Sequence, residues 1–288
     1  MAAVIDAHHH LWRYTTEEYG WIDNTMSVIR RDFQISELKT AIEKASIDGT
    51  IAVQARQTLD ETRWLLDLAN STDMIQGVVG WAPIADRDFL AKVEAFACES
   101  KLRGLRHVVQ AEPDGFMLDE AFNRGIDELE GMRLVYDMLI YERQIEEAIQ
   151  FVDRHPHQVF VLDHIAKPRI KEQMLEPWAT NLKKLALRDN VWCKVSGLAT
   201  EADWSGWTDE HLKPYLDVVV GAFGARRLMA GSDWPVCLVA SSYERWFNTL
   251  RRYFATFSES EQSDIFGGTA QRAYGLPDQQ RPDGRGER

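Results

Sequence analysis

The sequence predicts an α/β fold, a single-domain (β/α)8 barrel of the TIM type, and three observations carry that reading. Eight short apolar or β-rich segments recur along the 288 residues, their starts roughly 25–47 residues apart. That spacing gives room for a strand, a helix and two loops. The stretches between them read as amphipathic helices, and strand–helix alternation of this kind builds a parallel sheet. The open doubly wound sheet is the rival, but no GxGxxG follows the first strand and no GxxxxGK[ST] occurs.

The strand segments fall at 4–7, 50–53, 77–81 and 104–108, then at 134–137, 159–162, 191–195 and 227–231. Their near-continuous apolar character suits parallel strands covered on both faces. Between them, 36–44 carries an apolar stripe at Leu38, Ala41 and Ile42, with Ser36 placed to cap. Residues 60–68, 142–149, 209–223 and 243–254 repeat the helical pattern. The barrel is expected over 1–276, and 277–288, which has no apolar face, reads as a disordered tail.

Composition narrows the partners. Asp and Glu number 45 against 33 Lys and Arg, a net charge of −12. A chain this acidic is a poor generic partner for nucleic-acid phosphates or an anionic membrane surface. No apolar run approaches the ~20 residues of a membrane span. Cys98, Cys193 and Cys237 form no CxxC pair and read as reduced thiols. A cytoplasmic location is the expectation; the oligomeric state is left open.

In such a barrel, reactive residues belong at the C-terminal ends of strands. The first strand runs into Asp6-Ala7-His8-His9-His10. Strict alternation would put His8 and His10 on one face with Asp6 below them, where two imidazoles can bind one metal or polarise a carbonyl. A tag remnant is the blandest alternative, but the run follows a strand and continues into Leu11-Trp12-Arg13. The sixth strand ends Asp163-His164 and the eighth ends Ser232-Asp233. Alone, His164 reads more readily as a hydrogen-bonded core histidine than as a ligand, and Asp233 could simply cap the following helix. Their joint placement after strands one, six and eight points to one cavity.

These residues resemble the amidohydrolase superfamily: an Ile-Asp-x-His-x-His start, Leu-Asp-His-x-x-Lys-Pro in the sixth unit and Gly-Ser-Asp-Trp-Pro in the eighth. Further segments are similar to its amidohydrolase-2 branch and the fuconolactonase group of sugar-lactone hydrolases. They are 52–56, 102–107, 194–198 and 200–204, with Tyr19-Gly20-Trp21-Ile22. The resemblance implies hydrolysis of a sugar lactone of the L-fucono or L-galactono type. Asp233 would shuttle the proton, and His8, His10 and His164 would surround the electrophile. It implies at most one divalent ion, zinc by preference, held by His8, His10, His164 and Asp233, or no required metal. The fourth and fifth strands give Arg106-His107 and Tyr136-Asp137 in place of the Lys or Glu and the His of binuclear relatives.

Arg106 and His107 are expected to stabilise the oxyanion, and Arg56 and Arg106 to hold hydroxyls or the product carboxylate. Each arginine also reads as a barrel-end salt bridge. Trp21 and Trp204 are favoured over Trp81 and Trp234 to stack on the sugar. Lys194, inside the seventh strand, reads equally as a substrate ligand and a buried ion-pair partner. Two rivals stand beside the lactonase: a pyrone-dicarboxylate lactonase or metal-dependent decarboxylase of the same branch, and a noncatalytic ligand-binding barrel.

Overall fold

A computed structural model describes residues 3–96 and 99–277. Cys98 and residues 278–288, and with them nearly all of the expected tail, lie outside the described residues. Eight parallel strands stand in chain order: β1 (Ile5–His9), β2 (Gly49–Val53), β3 (Ile75–Gly80), β4 (Leu102–His107), β5 (Val135–Met138), β6 (Phe160–Leu162), β7 (Val191–Val195) and β8 (Leu228–Ala230). Each follows the expected segment to within two residues at either end. The seam between β8 and β1 is joined by a parallel bridge between His9 and Trp234. There Asp233 N–H donates to His8 O at 2.8 Å and His10 N–H to Trp234 O at 2.6 Å. The fold is a (β/α)8 barrel.

The helices are α1 (Ile35–Ala45), α2 (Leu59–Asn70), α3 (Phe89–Glu94), α4 (Glu120–Gly131), α5 (Ile145–Arg154), α6 (Trp178–Leu185), α7 (Asp209–Phe223), α8 (Tyr243–Phe254), α9 (Glu259–Ser263) and α10 (Thr269–Tyr274). Local chemistry sets their limits. Thr58 caps α2 by accepting from Glu61 N–H, and Ser242 caps α8 by accepting from Arg245 N–H. In α8, Tyr243, Trp246, Phe247, Leu250 and Phe254 recur at helical spacing and are buried against the barrel. The expected Ser36 cap is not formed: α1 begins one residue earlier, with Gln34 at the capping position. No helix among the described residues is long and apolar enough to cross a membrane.

Inside the barrel, Ile5, Ala7, Ile51, Val53, Val79, Val135, Val161 and Met229 form a buried cluster with Ala270, Ala273 and Tyr274 of α10. The first strand departs from simple alternation. Its register against β2 slips by one residue between Asp6 and His9, a β-bulge. Asp6 therefore does not lie below His8 and His10 as alternation implied. Its carboxylate turns toward α8 and accepts Ser232 N–H at 2.7 Å, Ser232 Oγ–H at 2.6 Å and Tyr243 O–H at 2.8 Å. The phase shift lets Ala7 face the apolar cluster while His8, one residue on, faces the polar end of the barrel.

Asp6 thus fastens the β8 end to β1 and α8 with no exposed surface. It also accepts His8 N–H at 3.1 Å, so Ala there removes the acceptor of four buried donors, of which only Ser232 Oγ–H keeps another, His8 O. Asp6→Ala is expected to destabilise the fold by about 3 kcal/mol, read as a lower urea midpoint at unchanged m value.

Candidate active site

Three strand ends deliver the central group. The β1 bulge brings up His8 and His10, the turn after β6 brings His164, and the turn after β8 brings Asp233. All four are buried. Asp233 Oδ1 lies 3.7 Å from His8 Nε2, 3.5 Å from His10 Nε2 and 3.9 Å from His164 Nε2. His8 Nε2 and His10 Nε2 are 3.1 Å apart. The residues expected at the strand ends do converge on one point.

The turns that do this are strained. Asp233 has φ +57°, and His164, Ile165, Ala166 and Lys167 run consecutively at φ +52°, +50°, +60° and +48°. Left-handed backbone costs an L-residue about 1–2 kcal/mol, so the packing around the turn must hold it. Trp178 Nε1–H donates to Ile165 O at 2.7 Å, and Lys167 N–H to His164 O at 2.8 Å. Gly197, at φ +71°, clears the ring of His164: a Cβ there would lie 2.7 Å from Nδ1.

Burial sets the charge states. It drives His8 well below the ordinary imidazole range, lowers His10 and takes His164 to about 4. All three are neutral near pH 7. Burial alone would raise Asp233, but His164, His10 and Lys167 together bring its carboxyl below the usual range, so it is ionised. His10 Nδ1 lies 2.7 Å from Val53 O, which can only accept. The ring proton is therefore on Nδ1, and Nε2 turns its lone pair inward. His164 Nδ1 is 2.8 Å from Ser196 Oγ.

That donor set fits a metal ion. A neutral imidazole lone pair and an ionised carboxylate oxygen face each other across 3.5 Å, an arrangement that calls for a proton or a cation between them. Tetrahedral zinc separates its donors by roughly 3.4 Å, close to the spacings here. His8, His10 and Asp233 offer ligand atoms within 4.8 Å of one another, as do His8, Asp163 and His164.

Below this group lies a charge network that the sequence reading did not assign. Asp163 Oδ2 accepts from Arg106 Nη1 at 2.9 Å, and its Oδ1 lies 3.1 Å from Lys194 Nζ and 3.3 Å from His8 Nδ1. Lys194 also bonds Asp137, whose oxygens accept Tyr274 O–H at 2.8 and 2.9 Å. Lys194 has no exposed surface and is ion-paired to Asp137 and Asp163, the second of its two readings. Asp163 and Asp137 fall in step with Val161 and Val135 of the inner cluster, so alternation carries the signal for both. Tyr274 comes from α10, and nothing in its neighbours along the chain marks it.

The remaining candidates lie at different removes. Arg106 is central: besides Asp163 it bonds Gln54 O and lies 3.4 Å from His8 Nε2. His107, next along β4, turns the other way. Its ring stacks on Phe116, accepts from Trp81 Nε1–H at 3.3 Å and meets Glu112 at 2.8 Å. Arg56 pairs with Glu18 and Glu61. Trp21 is 46% exposed, edge-on to Trp12. Trp204 is half-buried, its Nε1–H donating to Thr200 O at 2.8 Å. Trp234 is buried edge-on against Phe33.

Gly197 gives the sharpest geometric test. Gly197→Ala is expected to cost about 1–3 kcal/mol, from positive φ and the His164 clash. A crystal structure of the variant should show that ring displaced from Ser196 and Asp233.

An amidohydrolase family model matches residues 5–276. The chain is 40% identical over 286 residues to L-fucono-1,5-lactonase of Burkholderia multivorans, spanning 95% of this chain and 96% of that protein. It is 34% identical over 277 residues to L-fucono-1,5-lactonase of Burkholderia ambifaria, spanning 94% of each. A crystal structure of a Burkholderia multivorans amidohydrolase with bound zinc superposes with a TM-score of 0.93 at 41% identity, over 96% of this chain and all of that one. With this match along its whole barrel, the chain belongs to the amidohydrolase family.

Proposed function

We propose that this protein hydrolyses a sugar lactone of the L-fucono or L-galactono type to the aldonic acid. The observation that carries the reading is the convergence of three neutral imidazoles on one ionised carboxylate oxygen, each within 4 Å, at the strand ends of a family member. Two relatives named as L-fucono-1,5-lactonases support the substrate class. A ligand-binding barrel without catalysis has no use for a buried, ionised Asp233 held by a left-handed turn.

His8, His10 and Asp233, with His164 Nε2 3.9 Å from the Asp233 oxygen, would hold one divalent ion, with zinc favoured by an imidazole-rich set. When bound, the ion supplies Lewis-acid polarisation of the lactone carbonyl. The protein's residues do the rest. Asp233 takes a proton from the attacking water as the new carbon–oxygen bond forms. Arg106, held by Asp163 and Gln54, faces the developing oxyanion beside His8. As the ring carbon–oxygen bond breaks, protonated Asp233 returns its proton to the ring oxygen. One carboxylate serves as base and then acid, which suffices because the leaving alkoxide stays tethered to the product. His107 is held by Glu112, Trp81 and Phe116 and is given no part in the step.

Two outcomes are expected. Continuous acid release from L-fucono-1,5-lactone should exceed spontaneous opening, and Asp233→Asn should remain folded by circular dichroism while kcat falls by about 10²–10⁴-fold. Full turnover in that variant would exclude the shuttle. Elemental analysis after zinc loading and dialysis should give about one zinc per chain, lost in His10→Ala; chelation should abolish turnover and added zinc restore it. Undiminished rates in verified zinc-free protein would sink the metal assignment.

A further inference from the structure

Among the described residues, each cation around the central group except one is committed. Arg106 is bonded to Asp163 and Gln54, Lys194 to Asp137, and Arg56 to Glu18. Lys167 differs. It ends the left-handed turn that begins at His164, so its position is tied to that of a central imidazole. Its Nζ lies 3.9 Å from Glu201 Oε1, too long for a hydrogen bond, and 5.6 Å from the Tyr141 ring centroid. Among the described residues, neither the Lys167 ammonium nor the Glu201 carboxylate makes a hydrogen bond. Their side chains are 18% and 26% exposed, enough to be reached and too little to be fully hydrated. Tyr141 is 39% exposed beside them.

Both groups belong to the same electrostatic neighbourhood as Asp233. Lys167 helps hold the Asp233 carboxyl down. Glu201 is raised by its burial, opposed by Lys167, and pushed further up by Asp233. They come from different strand ends, β6 and β7, so the pair forms only when the barrel closes.

We infer that Lys167 and Glu201 form a clamp for a vicinal diol, which selects polyhydroxylated lactones over bare rings. The inference deepens the lactonase reading and rests on it. The ammonium donates to one ring hydroxyl, and the carboxylate accepts the O–H of its neighbour. This leaves the ring's apolar edge against Tyr141. The 3.9 Å gap is the opening that a pair of hydroxyls bridges. A mouth bearing one charge of each sign suits a neutral polyol. It does not suit a dicarboxylate, which would meet Glu201 as a like charge.

Lys167→Met and Glu201→Gln test it on L-fucono-1,5-lactone and on δ-valerolactone, the same ring size without hydroxyls. Each variant should lose about 10- to 100-fold in kcat/KM on the sugar lactone, chiefly through KM. On δ-valerolactone each should lose at least about threefold less than on the sugar lactone, a margin that leaves room for the effect of the Lys167 charge on Asp233. Equal losses on both lactones, or none on the sugar lactone, would overturn the clamp. Calorimetric titration with L-fuconate judges the same residues without turnover, so it stands even if the parent protein opens no lactone. Affinity should fall about tenfold or more in both variants. Loss in Lys167→Met alone marks a carboxylate site instead, and an unchanged Kd or no binding by the parent also rejects the proposal.

Discussion

The seam between β8 and β1 is the constraint on which the site depends. A parallel barrel must return its last strand to its first, and here the return is made where the chemistry sits. Asp233 N–H and His10 N–H form the joining hydrogen bonds, so the carboxylate and two of its imidazoles are set by backbone pairing rather than by loop packing. Asp6 fixes the same junction from the outer side through Ser232 and Tyr243. Misplacing the seam by one residue would turn His8 away from Asp163 and His10 away from Asp233.

A second layer gives that seam its electrostatics. Four charged groups, Arg106, Lys194, Asp137 and Asp163, are buried between the apolar interior and the imidazoles. Buried charge is costly unless paired, and these are paired across strands β4, β5 and β7 and the end of β6. Asp163 is ionised because Lys194, His8 and Arg106 outweigh the burial that would raise it. His8 Nδ1 then lies 3.3 Å from both an acceptor, Asp163 Oδ1, and a donor, Lys194 Nζ. The network both orients that ring and keeps the surroundings of the central group close to neutral.

The fold was legible because its signals are local and repeated. Strand spacing, apolar runs and amphipathic helices such as α7 and α8 need no knowledge of distant partners. The strand-end residues His8, His10, His164 and Asp233 were legible for the same reason: a barrel fixes where strand ends meet. What escaped depended on single-residue geometry or on contacts far apart in the chain. The bulge in β1 reversed the face of Asp6, and a one-residue phase shift has no composition signal. Alternation separates Arg106 from His107, which a shared oxyanion role had overlooked. Tyr274 reaches Asp137 across 137 positions, and only the closing of α10 under the barrel brings them together.

Strain is unevenly placed, and its longest run lies at the site. Single left-handed residues occur at Ser46, Arg133 and Gln173 in the scaffold, while a run of four follows β6 and another single one marks Asp233. Neither position holds glycine, the residue that would adopt this backbone at least cost. A glycine at 164 or 233 would lose the imidazole or the carboxylate, and one at 167 would lose the ammonium. Side-chain chemistry has therefore been kept where backbone economy argues against it, and neighbouring packing bears the cost. Gly197 makes the complementary concession: it gives up a side chain so that His164 can occupy its place. The barrel's stability is what permits both departures, since a marginal fold would relax these turns and scatter the three imidazoles that meet at Asp233.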